Sequence, residues 1–115
     1  MLVCLVGFAT FGVTTFGVSG WAIASPLPES APSATAESLF SANCAACHAN
    51  GGNIIRRGKN LKQKALSRYG YDSAENIADL VSQGKGAMPA YADRLSEAEI
   101  GAIAQYVLTQ AEAGW

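Results

Sequence analysis

Two of the three cysteines and the only histidine of this 115-residue chain fall within five positions, Cys44, Ala45, Ala46, Cys47 and His48. Two thiols and an imidazole at that spacing can hold a metal, cycle as a redox disulfide, or anchor a prosthetic group. A structural zinc site asks for four protein ligands, and a catalytic one for three with an open position. A histidine directly after the second cysteine is poor chelate geometry, and no second Cys/His pair exists elsewhere in the chain. A thiol–disulfide oxidoreductase places Cys-x-x-Cys at a helix N-terminus on a sheet-containing fold. Here the pair ends a helical segment in a chain with no readable strand. A plain structural disulfide would account for the cysteines but leave His48 idle.

Cys-x-x-Cys-His is also the attachment signature of a c-type haem. Two thiols three residues apart on a helical turn reach the two vinyl groups of a porphyrin, and the next residue is placed beneath the ring with an imidazole nitrogen facing the iron. On this reading Cys44 and Cys47 carry the thioethers and His48 is an iron ligand. No other histidine can take the sixth position. Of the two methionines, Met1 lies in the opening segment, which leaves Met88 in "GKGAMPA" (84–90). A lone methionine is usually core filler. Met88 instead sits between Gly84 and Gly86, which permit close backbone approach, and Pro89, which stiffens the chain beyond. His/Met ligation leaves no open iron position and raises the reduction potential. That combination moves electrons and does not bind a substrate, so the expectation is a carrier and not an enzyme.

The elements that must position these residues read as an all-α domain of about four helices with long loops. The first runs from Glu37 into Cys44. The second, "KNLKQKALSRYG" (59–70), carries Leu61, Ala65 and Leu66 and stops at Gly70. The third starts after Asp72 or Ser73, carries Ile77, Leu80 and Val81, and stops at Gly84. In the fourth, Ser96 and Glu99 form a capping box before an apolar stripe of Ile100, Ile103, Ala104, Val107 and Leu108. Upstream, Met1 to Ala24 carry no charged residue. The stretch ends in "AIAS", which fits export with cleavage before Ser25, although no positive residue precedes it, where a signal ordinarily has one. The same segment retained would tether the domain to a membrane. Cys4 lies inside it and is expected to have no role in the mature protein. Residues 25–36, with three of the four prolines, read as a linker or N-terminal tail, leaving 37–115 as the folded domain. A domain of that size has little core of its own and gains from a large apolar group to fold around.

A formal net charge of −1 argues against nucleic-acid binding. The cations are nevertheless segregated: Arg56, Arg57, Lys59, Lys62, Lys64 and Arg68 have no acid between Glu37 and Asp72. Such a run is either a solvated face or a patch that steers an acidic partner.

Residues 36–115 resemble the cytochrome c6 family, the soluble carriers of cyanobacteria and algae that pass electrons from cytochrome f to photosystem I. The resemblance rests on "LFSANCAACH" (39–48), "GKGAMPAYADRLSEAEI" (84–100), "QYVL" and the terminal Trp115. It implies a class I cytochrome c fold around one covalent haem c, with thioethers at Cys44 and Cys47 and axial ligands His48 and Met88. It also implies that Asn53 belongs to the loop packing near the haem, that Phe40 and Tyr106 meet where the first and last helices cross, and that Arg94 lies near the partner-docking surface; Arg56 and Arg57, from the basic run, are further docking candidates. The partners implied are a cytochrome f-like donor and photosystem I or a terminal oxidase as acceptor. The carrier would work as a monomer in an exported compartment, the thylakoid lumen or alternatively a periplasm. Two departures mark a divergent paralogue. Leu80 stands where typical members have a glutamine whose amide contacts the haem. Arg56 and Arg57 stand where the family often has Met-Pro.

Overall fold

The computed structural model describes residues 34–115 together with Gly12, so the expected leader (1–24) and residues 25–33 of the expected linker lie outside the described residues. Helix α1 spans Ala36–Asn43, α2 is a single turn over Ala45–His48 that runs into a 3-10 turn over Ala49–Gly51, α3 spans Gln63–Tyr69, α4 Ala74–Gln83 and α5 Glu97–Ala113. Among the described residues there is no strand beyond an isolated bridge between Lys85 and Met88.

The caps are local and sequence-encoded. The Thr35 hydroxyl accepts the Ser38 N–H at the start of α1, and Ser73 accepts the Asn76 N–H at the start of α4. Ser96 and Glu99 form the expected reciprocal capping box at α5. Hydrogen bonds from the Ser96 backbone and hydroxyl hold the Glu99 carboxyl below its ordinary value. Gly70 closes α3 in the left-handed region that glycine adopts without penalty.

The expected segments, about four, appear as α1, α3, α4 and α5, and among the described residues the single turn of α2 is added where Cys44 closes α1 and opens it. One boundary needs correction: the second segment begins at Gln63 and not at Lys59. Asn60 accounts for this: its Oδ1 accepts the Lys62 N–H at 3.1 Å and its Nδ2 donates to the Arg57 carbonyl at 2.9 Å. Asparagine side chains offer the backbone such partners in place of the helical ladder.

Helix α5 is the central element, packed against α1, α4 and α3. Its stripe of Ile100, Ile103, Ala104 and Val107 is buried as expected, with Ala111 added, while Leu108 is only half-buried. Against it lie Leu39 and Phe40 of α1, Leu66 of α3, Ile77 and Val81 of α4, and Tyr91 of the loop before α5. Each large apolar side chain so buried contributes about 1.5–3 kcal/mol. Phe40 and Tyr106 meet at the α1–α5 contact with ring centroids 5.4 Å apart, and Trp115 completes the cluster at 5.4 Å from Phe40 and 6.3 Å from Tyr106.

Candidate haem-binding site

Cys44, Cys47, His48 and Met88 all line one cavity of about 470 Å³, within the roughly 300–1,000 Å³ that cofactor sites occupy. Its walls come from Phe40, Leu61, Leu66, Ile77, Leu80, Val81, Ile103 and Val107, with Tyr91 beside Met88. The helices therefore enclose an apolar space and do not close over it.

The motif side is fixed by short-range backbone bonds. Cys47 and His48 both donate to the Cys44 carbonyl, at 3.1 and 2.9 Å, and Ile54 donates back to Cys47 at 3.1 Å. The 3-10 turn, with Asn50 at φ 51°, then carries Gly52 round to His48, whose Nδ1 lies 2.9 Å from the Gly52 carbonyl. A carbonyl only accepts, so Nδ1 bears the proton and Nε2 keeps its lone pair for a metal. Among the described residues the two cysteines are free. Burial pushes the Cys44 thiol up to about 11. A thiol that works by disulfide exchange is instead held low by its surroundings, so the thiol–disulfide reading has no electrostatic support here.

The Met88 side is a tight turn. Lys85 N–H donates to the Met88 carbonyl at 2.9 Å and Met88 N–H to the Lys85 carbonyl at 3.1 Å, with Gly86 at positive φ between them. Tyr91 holds this turn to the rest: its N–H donates to Val81 at 3.0 Å, and its hydroxyl donates to the Asn43 carbonyl at 2.9 Å, next to Cys44. Tyr91 was not among the residues singled out from sequence. The available signal was its place three residues after Met88 in an otherwise small-residue stretch, together with the need of a buried tyrosine hydroxyl for a partner.

Asn53 lines the cavity and organises its loop, accepting the Ile55 and Arg56 N–H groups at 3.0 and 2.8 Å and donating to the Lys59 carbonyl at 2.9 Å. Leu80 lines the cavity through an apolar side chain, half-buried on α4. The three arginines are not brought together. Arg56 lines the cavity, joined there by Lys59 and Lys85, and Arg57 is exposed outside the lining. Arg94 is stacked over the Tyr91 ring at 4.3 Å and donates to the Ala90 carbonyl. Around the cavity mouth, Ile55 and Tyr69 are large apolar side chains left exposed, with Ile54 adjacent. Sequence reasoning missed both Lys59 and Tyr69 as rim residues. The Lys59 ammonium sits 5.1 Å over the Tyr69 ring.

Two thiols, an imidazole with its Nε2 free and a thioether, all bordering one largely apolar cavity, are a donor set that fits a c-type haem.

The family described as "Cytochrome C oxidase, cbb3-type, subunit III" matches residues 31–107. A cytochrome c6-like protein of Nostoc sp. is 61% identical over 79 residues, covering 69% of this chain and 71% of that protein. Cytochrome c6 of Microcystis aeruginosa is 54% identical over 78 residues, covering 68% of this chain and 96% of that one. The crystal structure of cytochrome c6C from a Synechococcus species superposes with a TM-score of 0.68 at 57% identity, covering 70% of this chain and 98% of that chain. Reduced cytochrome c6A of Arabidopsis thaliana gives 0.67 at 38% identity, covering 70% of this chain and 93% of that chain. Motif, cavity and relatives together assign this chain a covalently bound haem c.

Proposed function

The chain belongs to the cytochrome c6 family, a small haem-based electron carrier, and from that premise we propose that it is a single-haem shuttle between a cytochrome f-like donor and photosystem I or a terminal oxidase. The observation that carries this reading is that His48 and Met88, 40 residues apart in sequence, border the same apolar cavity as both motif thiols. Haem c held there supplies a one-electron ferric/ferrous couple. The Cys44 and Cys47 thiols would hold it by thioethers, and His48 Nε2 and Met88 Sδ would ligate its iron. With both of those ligands supplied by the chain, no site would remain for a substrate, which supports a carrier role and not an enzymatic one. The largely apolar lining would limit water at the redox centre, and Leu80 lines the place where the family's glutamine would put an amide. Export is part of the proposal, with the thylakoid lumen as the compartment and a periplasm as the alternative. No helix among the described residues is long and apolar enough to cross a membrane.

Partner docking would use the basic side of the cavity mouth. Arg56, Arg57 and Arg94 are exposed, and Arg56 reaches the mouth itself. Their charge favours a partner with an acidic surface. The test is the association rate of the haem-loaded protein with an acidic redox partner such as a soluble cytochrome f fragment. Replacing the three arginines by Glu should slow association at low salt. The difference should shrink as salt rises, since exposed charges are screened over about 8 Å at physiological ionic strength. Rates and salt dependence equal to wild type would reduce the basic run to a solvated face.

A further inference from the structure

The carboxyl-terminal tryptophan does more than complete an aromatic cluster. Gly51 is buried at φ +69°, and a Cβ added there would fall inside the Trp115 indole, so the ring lies directly against the Gly51 backbone. The indole N–H donates to the Leu61 carbonyl at 2.9 Å, and the Leu61 N–H in turn donates to the Gly51 carbonyl at 2.8 Å. Trp115, Leu61 and Gly51 thus form a closed circuit. The next carbonyl along the chain, that of Gly52, is the acceptor of His48 Nδ1. The clamp itself is anchored from behind, by the Phe40 and Tyr106 rings and by the Trp115 N–H donating to the Gln110 carbonyl at 3.0 Å.

We infer that Trp115 is a positioning residue for His48: it fixes the Gly51–Gly52 backbone, and through it the hydrogen bond that sets the orientation and basicity of the imidazole. This rests on the reading of His48 as an iron ligand. The hydrogen-bond partner of a metal-bound histidine orients the ring and raises its basicity, which favours the ferric state. A loosened Gly52 carbonyl therefore weakens that effect and moves the midpoint potential upward. The clamp also explains why position 51 carries glycine, since any side chain would displace the indole.

The experiment compares the haem-loaded wild type with Trp115→Phe, which keeps a ring but loses the N–H, and Trp115→Leu, which loses both. Ile100→Ala serves as control, truncating the core at the other end of α5, away from the clamp. Proton spectra of the reduced wild type first test ligation through ring-current-shifted His48 and Met88 lines, and the absence of His48 lines overturns the ligand reading and this inference together. With the lines present, solvent exchange of the His48 Nδ1–H should quicken by about fivefold or more in Trp115→Leu, less in Trp115→Phe. The midpoint should rise in the same order. Exchange or midpoint unchanged from wild type, or moved no further than in Ile100→Ala, overturns the inference while leaving His48 as a ligand.

Discussion

The two sides of the cavity are held in different ways. The hydrogen bonds that Cys44, Cys47 and His48 themselves make join residues at most seven positions apart, Cys44 to Cys47 and His48, His48 to Gly52, and Cys47 to Ile54, while Leu61 and Trp115 brace the Gly51–Gly52 backbone behind them from further along the chain. The Met88 side has one local turn, Lys85–Met88, and depends beyond it on Tyr91 reaching back 48 residues to Asn43. A ligand presented by its own turn keeps its place while distant packing breathes, whereas one presented by a tertiary tie loses its place when the tie does. In this protein the Met88 side is therefore the one that packing changes should release first.

The largest expected effect removes the motif side outright. Cys44→Ser with Cys47→Ser should abolish covalent haem and leave little folded protein, because the apolar cavity would lose its filling in a domain with a small core. Acid–acetone extraction and the circular dichroism of the double variant check both parts, and haem that stays attached after denaturation would break the comparison at its base.

A change on the Met88 side should instead spare attachment. Gly84 sits at φ 68°, ψ 171°, a region essentially restricted to glycine, and a Cβ there would come within 2.6 Å of both the Met88 carbonyl and the Ala90 nitrogen. Gly84→Ala should cost about 1–3 kcal/mol from backbone strain alone, with the displaced turn adding to it. Denaturant unfolding measures the loss. The reduced variant should bind carbon monoxide where the wild type does not, and a variant as stable and as closed as wild type would show that the turn tolerates movement.

The smallest effect concerns tuning and not integrity. Leu80→Gln would add an amide dipole at the cavity wall that disfavours the extra positive charge of the ferric state. A hydrogen bond of about 1 kcal/mol corresponds to a midpoint rise of roughly 40 mV for a one-electron couple. The stability of the protein should change little. A redox titration giving an unchanged or lower midpoint would remove Leu80 as the cause of any low potential.

How far the sequence could be read follows the same division. The motif, the capping box at Ser96 and Glu99, and the α5 stripe are local patterns, and each appears where its spacing places it. The late start of α3 at Gln63 depends on which backbone partner wins, Asn60 or the helical ladder, and helical periodicity alone does not decide that contest. Met88 was legible as a loop residue beside two glycines and a proline. The residues that hold it in register, Tyr91 and Asn43, are linked only by the fold. Trp115 likewise meets Leu61 from 54 positions away, a distance over which no periodicity carries information. The arginines could be recognised as a charged run, but their separation into one at the cavity, one outside it and one stacked on Tyr91 required the tertiary structure.

The central claim is that His48 and Met88 together close the iron to substrates, and the visible and near-infrared spectrum of the haem-loaded protein beside Met88→Ala tests it most directly. The oxidised wild type should show the long-wavelength sulfur-to-iron charge-transfer band, and its reduced form should be inert to carbon monoxide. The variant should keep its covalent haem, lose the band and bind carbon monoxide. A variant that retains the band, or a wild type that lacks it, would contradict the account.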